Sequence, residues 1–170
     1  MIKSILAATA LLTPGLIYAD ICQFAQKLDS SVKQDYKPLI GKSDSRGRYF
    51  EPSVKLVNGI AKCRVMSLRS YRNYMCRWHV ASEKQLDSVF NSTIEQMQKC
   101  SLGNKTAVIS DVTKNSPRRN SGSVKWTNYS RRKITFGGNT TMFISKQTIL
   151  FTKMNQAMYV FRMSFGAFAK

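Results

Sequence analysis

His79 is the single histidine of the chain, and so the one side chain suited to act as general base for a serine or cysteine nucleophile. It lies in the run Cys76-Arg77-Trp78-His79 and fills only one of the roles a nucleophilic site requires. Its alternation with Trp78 places it on the outer side of a strand beside Arg77, as an ordinary surface residue. Carboxylate chemistry fares no better. Glycoside hydrolysis needs two acids held about 5 to 10 Å apart, and Glu83, Asp87 and Glu95 sit together on one expected helix, where surface charge and the helix dipole explain them. Metal binding is disfavoured by the same scarcity of acids, and no two cysteines have the two-to-four-residue spacing of zinc ligands. Gly137-Gly138 has no G-x-x-x-x-G-K-[ST] pattern around it and is not a phosphate loop. No catalytic, cofactor or metal constellation is present, so a non-enzymatic protein is expected.

What the chain does carry is positive charge. The net charge is +18, and after Asp111 there is no further acid, while Lys114, Arg118, Arg119, Lys125, Arg131, Arg132, Lys133, Lys146, Lys153, Arg162 and Lys170 follow. Cations without local counter-charge must be solvated or meet an acidic partner. Residues 69–79 and 125–133 interleave cations with aromatics, as single-stranded nucleic-acid binders do. Trp78 and Trp126 fall on expected core faces, however, and no RNP-like or helix-turn-helix pattern is present. The candidate partner-binding residues are Arg118, Arg119, Lys125, Arg131, Arg132 and Lys133, with Lys62, Arg64 and Arg77 as a secondary basic face. Asn91, Asn104, Asn128 and Asn139 head N-x-[ST] sequons, which an Asn- and Ser-rich chain produces by chance.

The amino terminus has Lys3, an apolar stretch from Ile5 to Ile17 broken by Pro14-Gly15, and Ile17-Tyr18-Ala19 ahead of Asp20. That is the pattern of a cleavable secretory signal over residues 1–19, too short for the roughly 20 apolar residues of a membrane span. Residues 20–170 are then expected as a single disulfide-bearing domain in the periplasm or outside the cell. Four cysteines in an exported chain read as two disulfides.

The elements that position these residues follow from periodicity. Residues 20 to about 36 repeat at helical spacing, with Asp20 as cap and Pro38 as stop. The polar run from Gly41 to Pro52 reads as a loop. Residues 60 to 80 alternate as a β-hairpin turning at Arg69-Ser70, which sets Cys63 opposite Cys76, Val65 opposite Tyr74, Ala61 opposite Trp78 and Lys62 opposite Arg77. The like-charge pair Lys62 and Arg77 is unfavourable on its own, so that outer face is expected to be open to solvent or ligand. Ser82 and Gln85 form a capping box before a helix whose stripe runs Leu86, Val89, Phe90, Thr93, Ile94, Met97 and Cys100, with Gly103 as its expected C-terminal cap. Antiparallel helices then bring Cys22 near Cys100, leaving Cys63 with Cys76.

Strands are expected near 107–112, 123–129, 132–136, 140–152 and 157–165, with turns at Gly137-Gly138 and Asn155-Gln156 and a possible break near Ser145-Lys146. Their core contributors are Val124, Trp126, Ile134, Phe136, Ile149, Phe151, Phe161, Met163 and Phe165. The expected fold is α+β: two helices packed on one face of a mostly antiparallel sheet, in the order α-β-β-α and then a β-meander. The expected function is a periplasmic binding protein of inhibitor or immunity type that docks an acidic protein through a basic carboxy-terminal face. The alternative is a binder of polyanions such as extracellular DNA, lipopolysaccharide or an anionic membrane surface.

Overall fold

The computed structural model describes residues 21–32, 34, 36–44, 47–52, 62–68, 71–113, 123–137 and 140–168. The expected signal segment, Ala61, the Arg69-Ser70 turn, Gly138, Arg118 and Arg119 lie outside these residues. The described residues form an α+β fold that is mostly antiparallel sheet, with two α-helices.

Helix α1 (Ile21–Val32) buries Ile21, Phe24, Ala25 and Leu28, the helical-period stripe. It stops at Val32, earlier than expected, after Ser30 and Ser31 hydroxyls donate to the Lys27 carbonyl and compete with helix propagation. Pro38 does not end it; that proline opens a separate 3-10 turn, Lys37–Leu39. Tyr36, before the turn, is left-handed (φ 57°) and buried, and its hydroxyl donates to the Phe165 carbonyl at 2.9 Å.

The run from Gly41 to Pro52 is not a loop throughout. Strands β1 (Ile40–Ser43) and β2 (Tyr49–Pro52) pair antiparallel, with Asp44, Gly47 and Arg48 in the turn that joins them. Asp44 makes that turn: its Oδ1 accepts from the backbone N–H groups of Arg48 and Tyr49, and Gly47 supplies a positive φ of 62°.

Strands β3 (Lys62–Leu68) and β4 (Tyr71–Val80) pair in the register expected from alternation, including Cys63 opposite Cys76, Val65 opposite Tyr74 and Lys62 opposite Arg77. Helix α2 (Glu83–Gln98) follows. The Ser82 side chain accepts from the Gln85 N–H at 3.2 Å, and Gln85 Oε1 accepts from the Ala81 N–H at 2.9 Å, so the capping box holds the helix start. Gly103 does not cap its end. Lys99 does, and Gly103 (φ 61°) turns a small hairpin of β5 (Ser101–Leu102) and β6 (Lys105–Thr106).

Strand β7 (Val108–Asp111) then precedes three long strands, β8 (Val124–Thr135), β9 (Thr140–Phe151) and β10 (Gln156–Phe168). Strand β9 is unbroken at Ser145-Lys146. The two strands expected at 123–129 and 132–136 are one, β8, carrying a bulge between Thr127 and Ser130 where Asn128 is left-handed (φ 46°). The eight-stranded sheet runs β1-β2-β3-β4-β10-β9-β8-β7.

Register assigns the faces. Tyr74, Phe165, Met142 and Ile134 stand in one cross-strand row, and Cys76, Met163 and Ile144 in the next; all are buried. Helix α1 meets this face through the edge-to-face contact of Phe24 with Tyr74 and the hydrogen bond from Thr140 to Asp29, and α2 meets it through the ion pair of Asp87 with Lys146. The bulge inverts alternation along β8. Trp126 and Val124 therefore stand opposite Ile149 and Phe151 on the other face, half-buried, and these four are not part of the helix-side core expected for them. Ile134, Phe136, Phe161, Met163 and Phe165 are in that core.

Both disulfides are present, Cys22 with Cys100 (Cα atoms 5.4 Å apart) and Cys63 with Cys76 (4.0 Å). No described helix is long and apolar enough to cross a membrane.

Candidate anion-binding face

Strands β3, β4, β8, β9 and β10 contain no Asp or Glu at any position. Their residues alternate between the helix side and the outer side, so the cations they carry outward meet no acid within these strands. Register lines them up. Lys62 faces Arg77, Arg77 faces Arg162, Arg162 faces Ser145, and Ser145 faces Arg131. Four strand spacings of roughly 4.8 Å make this row about 19 Å long. The neighbouring row reads Arg64, Met75, Ser164, Phe143 and Lys133. Lys62 and Arg64 are exposed, and the others in the two rows are half-buried.

Two guanidinium groups are held over aromatic rings, Arg131 at 3.9 Å from the Phe143 centroid and Arg64 at 5.0 Å from that of Tyr49. Such stacking fixes the planar cation while leaving its edge donors free. Arg162 stands at the centre. Burial, the nearby Arg77 and then Arg64 and Arg131 lower its pKa from the ordinary arginine value, and Tyr129 opposes the shift. Like charges facing each other across strands are unfavourable, and the described residues place no carboxylate against Arg162 to offset it. His79 is on the same face, opposite Val160. Its pKa is lowered by burial and by the charges of Arg77 and Lys62, which hold the ring neutral at neutral pH.

The two basic groups read from the sequence are thus partly one. Arg131 and Lys133 share the outer face with Lys62, Arg64 and Arg77. Arg132 does not. It is on the helix side, where its Nη1 pairs with Asp111 Oδ2 at 2.7 Å and donates to Ser130 Oγ at 3.1 Å, and its guanidinium lies 5.7 Å from the Phe90 centroid. Lys125 is exposed but falls beyond the bulge, out of phase with Arg131. Arg118 and Arg119 are outside the described residues. Arg162 was not singled out by charge clustering. The signal that finds it is its place between Phe161 and Met163, two core residues that force it outward.

A cavity of about 660 Å³ adjoins one end of the rows, with Lys62, Arg64 and Arg77 on one side and Tyr49, Phe50 and Pro52 on another. Among the described residues no group of three or more His, Cys, Asp or Glu could hold a metal ion. Comparison with protein-family models, with curated proteins and with solved structures finds no match to this chain.

Proposed function

We propose that the chain is a non-enzymatic exported binding protein that docks an acidic protein partner through the outer face of β3, β4, β10, β9 and β8, as an inhibitor or immunity factor would. The observation that carries this reading is the row Lys62, Arg77, Arg162, Arg131 across five acid-free strands. Two features favour protein over other anions. The cations are mostly arginine, and the same face carries half-buried Met158, Ile149 and Trp126 two rows further along. Arg, Met and Trp are the side chains enriched at the centres of protein interfaces. Export is supported by the two disulfides and by the amino-terminal pattern.

The test compares the full chain with the triple variant Arg77→Glu, Arg131→Glu, Arg162→Glu. Partners from the native periplasm are captured on each, and association with a captured acidic protein is timed at low and high salt. Electrostatic steering predicts that the variant associates about ten-fold more slowly and that its rate depends little on salt. Identical capture with an unchanged rate removes the docking reading.

The straightness of the row favours a second reading, a polyanion binder, since four cations in a line of five strands match a linear array of charges. Counterion release gives such binding a steep salt dependence and little sequence preference. A filter-binding titration with single-stranded DNA and with heparin tests it, and no retention at low salt rules it out.

A further inference from the structure

The cavity beside the basic rows has chemistry of its own. Its volume, about 660 Å³, is within the range of roughly 300 to 1,000 Å³ typical of small-ligand pockets. Lys62, Arg64 and Arg77 line it from β3 and β4, while Tyr49, Phe50 and Pro52 of β2 give it an apolar wall. One cation is already positioned, because the Arg64 guanidinium rests 5.0 Å from the Tyr49 ring centroid. Two acids also reach the cavity. Asp44 is engaged in its turn, accepting from Arg48 and Tyr49 N–H groups, and Glu51 is exposed. With Lys42 added, four cations oppose these two acids. Arg162, directly across from Arg77 on the side away from β2, deepens the positive field at the charged end.

We propose that this cavity binds an organic phosphate or sulfate ester, its oxyanion held by Arg64 and Arg77 with Lys62 and its apolar body against Tyr49, Phe50 and Pro52. A planar guanidinium offers paired N–H donors that match a tetrahedral oxyanion, which explains two arginines at the charged end. The mixed lining explains why the ligand needs both parts: free phosphate leaves the aromatic wall unused, and a neutral aryl group leaves the cations unpaired. The site shares Arg64 and Arg77 with the docking face but needs no protein partner, so either can fail alone.

Titration of the full oxidised chain with 1-naphthyl phosphate, 1-naphthol and inorganic phosphate, followed by amide chemical shifts and calorimetry, tests the site. The naphthyl phosphate is expected to bind at least about ten-fold more tightly than either fragment and to move the signals of Tyr49, Phe50 and Cys63. Arg64→Met and Arg77→Met should each weaken it about ten-fold, while Lys153→Met, in an exposed turn remote from the cavity, should change it less than two-fold. Dihexanoyl phosphatidic acid in competition separates the two sources of such an ester: displacement identifies a lipid headgroup, and no displacement a soluble ester. Equal affinity for naphthol and naphthyl phosphate overturns the proposal. So does equal weakening by Lys153→Met, which shows only attraction to net charge. Because the two arginine variants are on the solvent side of the sheet, an unchanged amide spectrum confirms that they fold.

Discussion

Replacing Arg162 by Met should make the isolated protein more stable, although it removes a residue from the middle of the fold. Arg162 faces Arg77 directly across β10 and β4, and Arg64 and Arg131 also act on it electrostatically. Cβ atoms of directly opposed residues are about 5 Å apart, and two guanidinium charges roughly 6 Å apart repel by about 0.7 kcal/mol in a water-like medium and by about 3 kcal/mol at a surface-like dielectric. Arg64 and Arg131 add less, being one row or two strands away. Against this, Met replaces most of the packing of the arginine stem and relieves the burial of a charged group. The expected net gain at low salt is about 1 kcal/mol, a rise in Tm of about 2 to 4 °C for a domain of this size. The gain must shrink with salt, since the screening length falls from about 30 Å at 0.01 M to about 3 Å at 1 M. Differential scanning calorimetry of both proteins at those two salt concentrations reads both effects. A variant less stable than wild type at low salt, or a gain that does not diminish at high salt, refutes the argument that unpaired like charge strains this face.

Three further outcomes follow from the same structure. Removing Cys22 with Cys100, a sequence separation of 78, should cost about 4.5 kcal/mol, and removing Cys63 with Cys76, a separation of 13, about 3 kcal/mol; urea denaturation giving the reverse order contradicts the chain-entropy basis. Asn128→Ala loses both a residue tolerant of left-handed backbone and the 2.6 Å hydrogen bond to Glu83, so it should cost about 1 to 2 kcal/mol, with Asn128→Gly milder because glycine accepts that conformation. Urea midpoints of the two variants check that ranking. His79 has a folded pKa below its unfolded value of about 6.5, so its stabilising contribution is full above that pH, begins to fall below it and is lost as the pH drops through the lower folded value. Stability measured from pH 5 to 8 should therefore fall on the acid side in wild type and fall less in His79→Gln.

Much of the first half was legible because local rules agree there. Alternation along residues 62–68 and 71–80 fixes which residues oppose each other, and from it come the Cys63 to Cys76 bridge and the Lys62 to Arg77 pair. The capping box at Ser82 marks the start of α2 for a similar reason, since its spacing is diagnostic. Strands β1 and β2 were not legible: four residues such as Ile40-Gly41-Lys42-Ser43 show no period, and their strand state comes from pairing at the sheet edge. The bulge was the costliest miss. Nothing in Thr127-Asn128-Tyr129-Ser130 announces an extra residue, yet it moves Trp126 to the opposite face and separates Lys125 from Arg131. Arg132 illustrates a limit of charge counting, because Asp111 becomes its neighbour only when β7 pairs with β8.

The position of β10 has a consequence for how the molecule comes together. Residues 22 to 100 are tied into a ring by a disulfide and contain β1 to β4, whereas β7, β8 and β9 arise later in the chain. Among the strands of this sheet only β10 pairs with both groups, lying between β4 and β9 like a zip fastener. As the polypeptide emerges amino end first, the ring can close on its own, but the two half-sheets stay unpaired with each other until residues 156–168 arrive and knit them. Before that moment the flanks of β4 and β9 are bare, and a nascent chain halted short of Gln156 has two open seams and lacks the Phe161, Met163 and Phe165 that fill the middle of the core.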